Sequence, residues 1–279
     1  MKIKIVEGFE EELTPDMKYY AFDWDDNLLF MPTKIILMDD KGNEVPMGTE
    51  DFAEHRSKIG KENFDFNGKT IVGFANNPFR NFSTEGDKKF MVDAILAKTG
   101  PAWDDFVECI NGGSIFSIIT ARGHSPETIA KTVKKLIDGN INGLSKKQLV
   151  KSLKKYNELA NRFSEKNENV TDEDIVNFYV FKLNKYYPVT HGSGSAQNPE
   201  QSKVDAMKEF QEYVKRISRM INVEPMFKDD VSNRFVPRIG FSDDDLKNLK
   251  TMKSELEKDP ENIVQIYSTH GGVKKKYSE

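Results

Sequence analysis

The chain has 279 residues, of which 31% are charged and 37% are hydrophobic, and its formal net charge is -4. This composition is typical of a globular protein with a polar surface, and it lacks the basic excess of a general nucleic-acid-binding protein. The single cysteine, Cys109, excludes a disulfide framework and a cysteine-based zinc site, so a reducing cytoplasm is the expected location. No apolar run approaches the roughly 20 residues of a membrane helix, and acidic residues follow position 6 directly, so neither membrane contact nor a signal peptide is expected.

The first informative stretch is an apolar segment, residues 19–22, that runs directly into Asp23-Trp24-Asp25. The pattern predicts a buried parallel strand with two carboxylates where the strand ends. Burying a carboxylate costs several kcal/mol unless it is paired or bound to a metal. A divalent cation and a phosphoryl group would together supply such partners.

Other interpretations of these acids are available. A calcium loop of the EF-hand type fits Asp23, Asp25 and Asn27, but it requires Gly and Glu where the chain has Leu28 and Lys34. A turn or helix cap built from Asp and Asn is a second interpretation. A solvated acidic surface is a third, and the preceding apolar strand argues against it.

Local signals predict several elements further along the chain. Residues 33–38 and 43–47 flank a glycine-bearing turn and predict a β-hairpin. Ser145 is a candidate N-cap of a helix that reaches about residue 163, and residues 171–174 predict a capping box. The remaining segments are predicted as helices over 50–59, 88–98 and 103–110 and as strands over 69–74, 186–190 and 262–267.

A second apolar strand, residues 114–120, ends in Thr120, and a helix is predicted over residues 127–137 after Pro126. Arg122 lies in the intervening loop and is a candidate for contact with a phosphate or leaving group. His124 lies in the same loop, where it is interpreted as a surface residue.

A lysine begins the next candidate element, an amphipathic helix from Lys203 to about residue 220, which follows a Gly/Ser-rich loop at 191–195. A positive charge at a helix start opposes the helix dipole, which gives some support to a functional role for Lys203; a solvent-facing lysine is the alternative. Lys182, Lys185 and Lys208 are the other candidates for a site lysine.

The last candidate strand, residues 234–241, precedes three adjacent acids at 243–245 and then Asn248. Adjacent carboxylates repel one another, and a bound cation would relieve that repulsion. A helix N-terminus that carries acids is the alternative, and it needs no metal. Pro237 argues against a central strand, because proline cannot donate to the ladder.

In this order the four segments resemble the motifs of the haloacid dehalogenase (HAD) superfamily of aspartate-nucleophile phosphotransferases. The resemblance implies that Asp23 is the nucleophile and Asp25 the general acid and base. It also implies that the hydroxyl of Thr120 holds phosphoryl oxygens and that Lys203 neutralises their charge. Asn27 and Asp26 depart from the family pattern, which usually has Thr or Val and Gly there.

The resemblance further implies a magnesium site. Mg²⁺ would be bound by Asp23, by the backbone carbonyl of Asp25, and by Asp243 or Asp244. Asn27 and Arg122 are the candidate substrate-binding residues.

The expected fold class is α/β, with a Rossmann-like (HAD-like) parallel sheet core, a β-hairpin flap and a mostly helical insert or cap. The core would comprise residues 1–47 and 110–279, with a possible helical insertion at 139–185. Residues 48–109 would form the insert, a small cap. An ordinary hairpin is the alternative to the flap.

The expected activity is Mg²⁺-dependent hydrolysis of phosphomonoesters through an aspartyl-phosphate on Asp23. An acid at the position of Asp25 is typical of the family's phosphatases and absent from its dehalogenases. The substrate would be a small phosphorylated compound or a nucleotide, and lysine-rich helices give some support to a nucleic-acid end phosphatase. A non-catalytic phosphate- or partner-binding protein on the same fold is the alternative.

Overall fold

The computed structural model describes residues 16–160, 170–191, 198–222 and 236–278. Within these ranges the chain forms twelve β-strands and eight α-helices. The predicted helix end at residue 163 and most of the Gly/Ser-rich loop at 191–195 lie outside them. None of the described helices is both long and apolar enough to cross a membrane.

The strands have the following bounds: β1 (Asp16–Phe22), β2 (Leu29–Phe30), β3 (Ile35–Asp39), β4 (Glu44–Met47), β5 (Phe64–Phe66), β6 (Lys69–Phe74), β7 (Lys98–Thr99), β8 (Phe116–Thr120), β9 (Lys185–Pro188), β10 (Val236–Asp243), β11 (Val264–Ser268) and β12 (Lys275–Lys276). The helices have the following bounds: α1 (Thr49–His55), α2 (Asp87–Leu96), α3 (Trp103–Gly112), α4 (Pro126–Asp138), α5 (Lys146–Ala160), α6 (Asp172–Phe178), α7 (Pro199–Asn222) and α8 (Leu246–Leu256). A π-helical turn, Tyr179–Leu183, continues α6.

The main sheet has the strand order β12-β11-β10-β1-β8-β9, and all neighbouring pairs are parallel except β11 and β12. Side chains alternate between its two faces, as the period of a strand requires. Tyr19 and Ala21 pack with residues of α7 and α8, whereas Phe22 packs with residues of α3 and α4. Helices therefore cover both faces, and the predicted α/β class with a parallel sheet is confirmed.

The predicted strands end at one edge of this sheet. Phe22 of β1 is in register with Ser242 of β10 and with Ile118 of β8. The backbone N–H of Asp23 donates to the carbonyl oxygen of Ser242 at 2.9 Å. Because carboxyl ends of parallel strands form the ligand-binding crevice of such sheets, this register brings the predicted site segments together.

Pro237 lies in β10, a central strand, contrary to the expectation that proline would exclude one there. β10 pairs with β1 from residue 236 onward but with β11 only from Ile239 onward. Pro237 therefore lies before the stretch of β10 that has a partner strand on both sides. On the side without a partner, a missing N–H is tolerated. Residues 234–235 of the predicted strand lie outside the described part of the chain.

A second, antiparallel sheet has the order β4-β3-β6-β5. The predicted hairpin is confirmed as β3 and β4, and its turn contains Gly42 at φ +80°. β6 pairs with the other edge of β3 and so extends the hairpin to four strands together with β5. Ile35, Leu37 and Ile71 form its small apolar core.

The predicted insert, residues 48–109, contributes to two different packed regions. Its first half, α1, β5 and β6, belongs with the small sheet. In its second half, Phe90 of α2 and Phe106 of α3 are buried in the same cluster as Phe22 of β1. The predicted border at residue 109 thus does not coincide with a border between hydrophobic clusters. Residues 139–185 also contribute to this main cluster, through Leu149 and Val176.

Predicted helix starts follow the capping signals. The hydroxyl of Ser145 accepts from the N–H of Gln148, and Thr171 and Asp174 form the capping box. α7 begins at Pro199, earlier than the predicted start at Lys203. Asn198 explains the difference, because its side chain accepts from the N–H of Gln201 and proline suits the first helical position.

Candidate functional site

Three carboxylates meet at the carboxyl ends of β1 and β10. Oxygen atoms of Asp23, Asp243 and Asp244 all lie within 4.8 Å of one another. Asp23 and Asp243 are buried, and Asp244 is half-buried. Asp23 lies 220 positions before Asp243 in the sequence, and the parallel pairing of β1 with β10 brings it close to Asp243 and Asp244.

Lys203 lies between two of these acids. Its Nζ is 2.7 Å from Oδ1 of Asp23 and 2.7 Å from Oδ2 of Asp243, and only 2% of the residue is exposed. The early start of α7 places Lys203 in the second helical turn rather than at the terminus. Among the candidate lysines, Lys185 lies over the ring of Tyr213 instead. The structure therefore selects Lys203 as the lysine of this cluster.

The charges of the cluster are poorly compensated. Burial raises the pKa of Asp23 well above its ordinary value; the Lys203 ammonium opposes this rise, and Asp243 adds to it. Burial also raises the pKa of Asp244, and the nearby carboxylates of Asp243 and Asp23 raise it further. For Lys203, burial lowers the pKa, but Asp23 and Asp243 outweigh burial and the net pKa is raised. One ammonium thus faces three carboxylates in a low-dielectric region, an arrangement that favours a divalent cation.

The acids at 243–245 have separate roles. Asp245 is the N-cap of α8, where its carboxylate accepts from the N–H of Lys247 at 2.8 Å. Asp243 accepts from the side chain of Asn248 and from the N–H of Asp245. The alternative interpretation, acids at a helix N-terminus, therefore accounts for Asp245 but not for the cluster of Asp243 with Asp244.

Asn27 does not lie where a substrate would reach it. Its side-chain NH₂ donates to the carbonyl oxygen of Asp23 and to the hydroxyl of Ser242, and its oxygen accepts from the hydroxyl of Thr269. The residue is fully buried. The predicted substrate contact of Asn27 does not fit this placement, because its amide joins the ends of β1, β10 and β11.

Arg122 also differs from its predicted role. It is 1% exposed, and its Nε and Nη2 donate to the two carboxylate oxygens of Asp25 at 2.8 and 2.6 Å. Nη2 donates in addition to the hydroxyl of Thr33. A guanidinium with these partners has few N–H groups left that could donate to a substrate. The carboxylate of Asp25 is not part of the acid cluster found among the described residues, and only its backbone carbonyl was expected at the metal.

Thr120 lies at the end of β8, next to β1, as the sequence predicts. It is buried, and its hydroxyl oxygen accepts from the N–H of Arg122 at 3.3 Å. Its predicted contact with phosphoryl oxygens stays a prediction.

His124 is not a surface residue, so that interpretation is wrong. It is fully buried and its ring stacks on Phe90 with centroids 4.4 Å apart. Its Nδ1 lies 2.8 Å from Asp87 and its Nε2 lies 3.3 Å from Nη1 of Arg122. Asp87 and Phe90 belong to α2, far upstream, so no local signal in the loop could have predicted this burial.

Three contacts between the small-sheet region and the segments around the site were not predicted from the sequence. The hydroxyl of Thr49 donates to the carboxylate of Asp26. Arg56 forms ion pairs with Glu200 at 3.3 Å and with Asp245 at 3.0 Å. The three contacts hold α1 against the loop after β1, the first turn of α7 and the N-cap of α8, and nothing in the local sequence pattern marks them.

Comparison of the chain with models of protein families, with curated proteins and with solved structures finds no match.

Proposed function

We propose that this protein is a Mg²⁺-dependent phosphomonoester hydrolase of the HAD type in which Asp23 is the nucleophile. The observation that carries the proposal is the cluster of Asp23, Asp243 and Asp244 around Lys203 at the carboxyl edge of a parallel sheet. The substrate class is a phosphate monoester of a small molecule or a nucleotide. A reducing cytoplasm is the proposed location, because the single cysteine, Cys109, is a free thiol in the core.

The donor set of the cluster fits magnesium. All candidate ligands are hard oxygen atoms, which Mg²⁺ prefers over imidazole and thiolate. Asp23, Asp243 or Asp244, and the backbone carbonyl of Asp25 would hold the ion. Bound there, Mg²⁺ would supply positive charge for the oxygens of the phosphoryl group. The raised pKa values of Asp23 and Asp244 support the fit, because a cation would favour their ionised forms.

The first chemical step would form an aspartyl-phosphate. A carboxylate oxygen of Asp23 attacks phosphorus, and the bond between phosphorus and the ester oxygen breaks. The departing oxygen takes a proton from Asp25. Lys203 and Thr120 would hold the non-bridging oxygens, since phosphoryl transfer depends mainly on positioning and charge neutralisation.

The second step would release phosphate. A water molecule attacks phosphorus, and the carboxylate of Asp25 takes its proton. The bond between phosphorus and Asp23 breaks, which yields inorganic phosphate and restores the Asp23 carboxylate. Asp25 is thereby protonated again for the next turnover.

Three lysines of the lysine-rich helices are paired with acids, so they give little support to a nucleic-acid substrate. Lys134 and Lys146, two of the lysines behind that interpretation, both contact the carboxylates of Asp138 and Glu173. Lys154 is paired with Asp172. These three lysines are therefore at least partly neutralised, which weakens the support that they give to a nucleic-acid substrate.

Hydrolysis of p-nitrophenyl phosphate, with Mg²⁺ and with EDTA, tests the proposal. We expect turnover in Mg²⁺ only and a loss of at least about 1,000-fold in Asp23→Asn. Asp245→Asn is the matched control, because it removes a neighbouring charge outside the cluster, keeps a residue suited to capping and leaves a side-chain oxygen that can accept from Arg56. Activity that survives Asp23→Asn contradicts the mechanism.

A second outcome favours the non-catalytic alternative. In that case the protein would bind Mg²⁺ and inorganic phosphate by calorimetry but would hydrolyse none of a panel of phosphorylated metabolites, nucleotides and end-phosphorylated oligonucleotides. Circular dichroism of each variant shows whether a loss of turnover reflects a loss of folding.

A further inference from the structure

We propose that Arg122 is a positioning residue that fixes the carboxylate of Asp25, and that His124 and Asp87 in turn fix Arg122. The inference rests on the proposed function, in which Asp25 transfers protons. It replaces the substrate contact expected for Arg122 and assigns a role to a buried histidine that the mechanism does not use.

The first support is the geometry of the ion pair. Nε and Nη2 of Arg122 each donate to a different oxygen of Asp25, at 2.8 and 2.6 Å. Such a two-point contact fixes the plane of a carboxylate as well as its position, which a lysine cannot do. The Asp25 side chain remains 15% exposed, so the fixed carboxylate still faces the solvent side. Arg122 itself is only 1% exposed, so its guanidinium is not accessible to a ligand from the solvent side.

The second support is the enclosure of the guanidinium. Its central carbon lies 4.7 Å from the ring centroid of Phe82 and 4.8 Å from that of Phe90. Aromatic faces attract a cation and keep water from it. Phe82 comes from the loop before α2 and Phe90 from α2 itself, so residues outside the predicted core hold Arg122 in place.

The third support is the state of His124. A guanidinium only donates, so the contact between Nη1 of Arg122 and Nε2 of His124 requires that nitrogen to accept. The ring proton therefore sits on Nδ1 and is donated to Asp87 at 2.8 Å. Burial lowers the pKa of His124, and Arg122 lowers it further, which agrees with a neutral ring.

Asp87 anchors this chain of contacts in the scaffold. Its second carboxylate oxygen accepts from the hydroxyl of Thr128 in the first turn of α4 at 2.6 Å. Gly86 precedes Asp87, and a Cβ there would lie 2.9 Å from the carbonyl oxygen of Asn81 and 3.4 Å from Cε1 of His124, so a larger residue would require the backbone of Asn81 to shift. The contacts thus run from α4 through Asp87, His124 and Arg122 to Asp25, and each partner is held by a specific hydrogen bond.

Positioning matters because a general acid must lie within hydrogen-bond reach of the departing oxygen. If Arg122 acts only through Asp25, its loss affects proton transfer and leaves phosphate binding unchanged. If Arg122 contacts phosphate directly, its loss weakens phosphate binding in every background. These two consequences can be measured separately.

The experiment compares two substrates in Arg122→Lys: an alkyl phosphate, whose leaving oxygen needs a proton, and p-nitrophenyl phosphate, whose leaving group departs without one. The quantity compared is kcat/KM, which reports the steps up to departure of the leaving group and not the later hydrolysis of the aspartyl-phosphate, in which Asp25 serves both esters alike. We expect kcat/KM to fall about 100-fold on the alkyl ester and less than about 10-fold on the aryl ester. His124→Gln should show the same pattern with a smaller loss. Equal losses on both esters overturn the proposal.

The double variant Asp25→Asn/Arg122→Lys tests whether the loss of activity in Arg122→Lys depends on Asp25. We expect Arg122→Lys to reduce kcat less than about 3-fold once Asp25 is replaced, because effects that pass through one residue are not additive. If Arg122→Lys reduces kcat as much in the Asp25→Asn background as it does in wild type, the proposal is overturned.

Binding of inorganic phosphate in the presence of Mg²⁺, measured by calorimetry, tests whether Arg122 contacts phosphate and does not require turnover. We expect a Kd within about 2-fold of wild type in Arg122→Lys and a much weaker Kd in Lys203→Met, which removes a charge from the cluster itself. A Kd raised about 10-fold in Arg122→Lys assigns Arg122 to phosphate and overturns the inference. Failure of the proposed function would instead appear as a wild type without turnover, or as turnover that survives Asp23→Asn.

Discussion

The Nζ of Lys203 lies 2.7 Å from Oδ1 of Asp23, although 180 residues separate the two in the chain. The same ammonium lies 2.7 Å from Asp243. The proposed nucleophile is therefore also one partner of a buried ion-pair network that joins α7 to the ends of β1 and β10. This double role makes stability measurements informative about the site even before a substrate is known.

Replacing Lys203 with Met should destabilise the metal-free protein by about 3–5 kcal/mol, because it leaves two buried carboxylates without their cation. Lys215→Met is the matched control in the same helix. Glu212 and Glu261, the two acids nearest to Lys215, are largely exposed, so its loss should cost no more than about 1 kcal/mol. Urea unfolding in EDTA measures both changes, and equal losses would contradict the network.

Asp244→Asn should make the metal-free protein more stable near neutral pH. The fold raises the pKa of Asp244 through burial and through Asp243 and Asp23, so its ionised form is disfavoured and a neutral isostere relieves the repulsion. The same change should weaken the stabilisation by Mg²⁺, which amounts to about 2.7 kcal/mol at a concentration of 100 times Kd.

Thermal unfolding with EDTA and with Mg²⁺ measures both effects. Asp245→Asn is the control, because Asp245 lies outside the cluster and its response to Mg²⁺ should match wild type. If Mg²⁺ stabilises Asp244→Asn as strongly as wild type, Asp244 is not a ligand.

Asn27→Ala should cost about 2–3 kcal/mol of stability, because it leaves buried partners in three strand ends without their hydrogen bonds. Thr269→Val removes one of the same bonds, and Thr269→Ser keeps it. We therefore expect Thr269→Val to add little in the Asn27→Ala background, which a double-mutant cycle measures. Strictly additive losses would argue against this shared contact.

Asp26 should make stability depend on pH below neutrality. Burial raises the pKa of Asp26 from 3.8 to about 6, against the opposing hydrogen bond from Thr49. Because the folded pKa is raised, the stabilisation is complete below about pH 4 and is lost as pH rises through about 6.

Asp26→Asn removes this dependence. Relative to wild type the variant should gain roughly 1–3 kcal/mol between pH 4 and pH 8, a range that allows for partial solvent screening. Asn also suits the left-handed backbone at this position, where φ is +54°. Urea unfolding across that pH range in EDTA measures the difference, and a difference that does not grow with pH would contradict it.

The site acids could be predicted because their signals are local. Asp23 and Asp243 each follow an apolar run, and such runs become strands whose carboxyl ends meet at one edge of a parallel sheet. Thr120 follows the same rule. Ser145 and Thr171 were predictable for a related reason, since a capping residue bonds the backbone within its own first turn.

The amino-acid sequence by itself thus determined the α/β class, the strand ends and the acids that they carry, because these depend on side chains close to one another in the chain. Only the tertiary structure decided what each polar side chain contacts. It turned Asn27 away from solvent, paired Arg122 with Asp25, buried His124 against α2 and added β6 to the hairpin. Such pairings join segments that are far apart in the sequence, and the packing of whole helices and strands selects them.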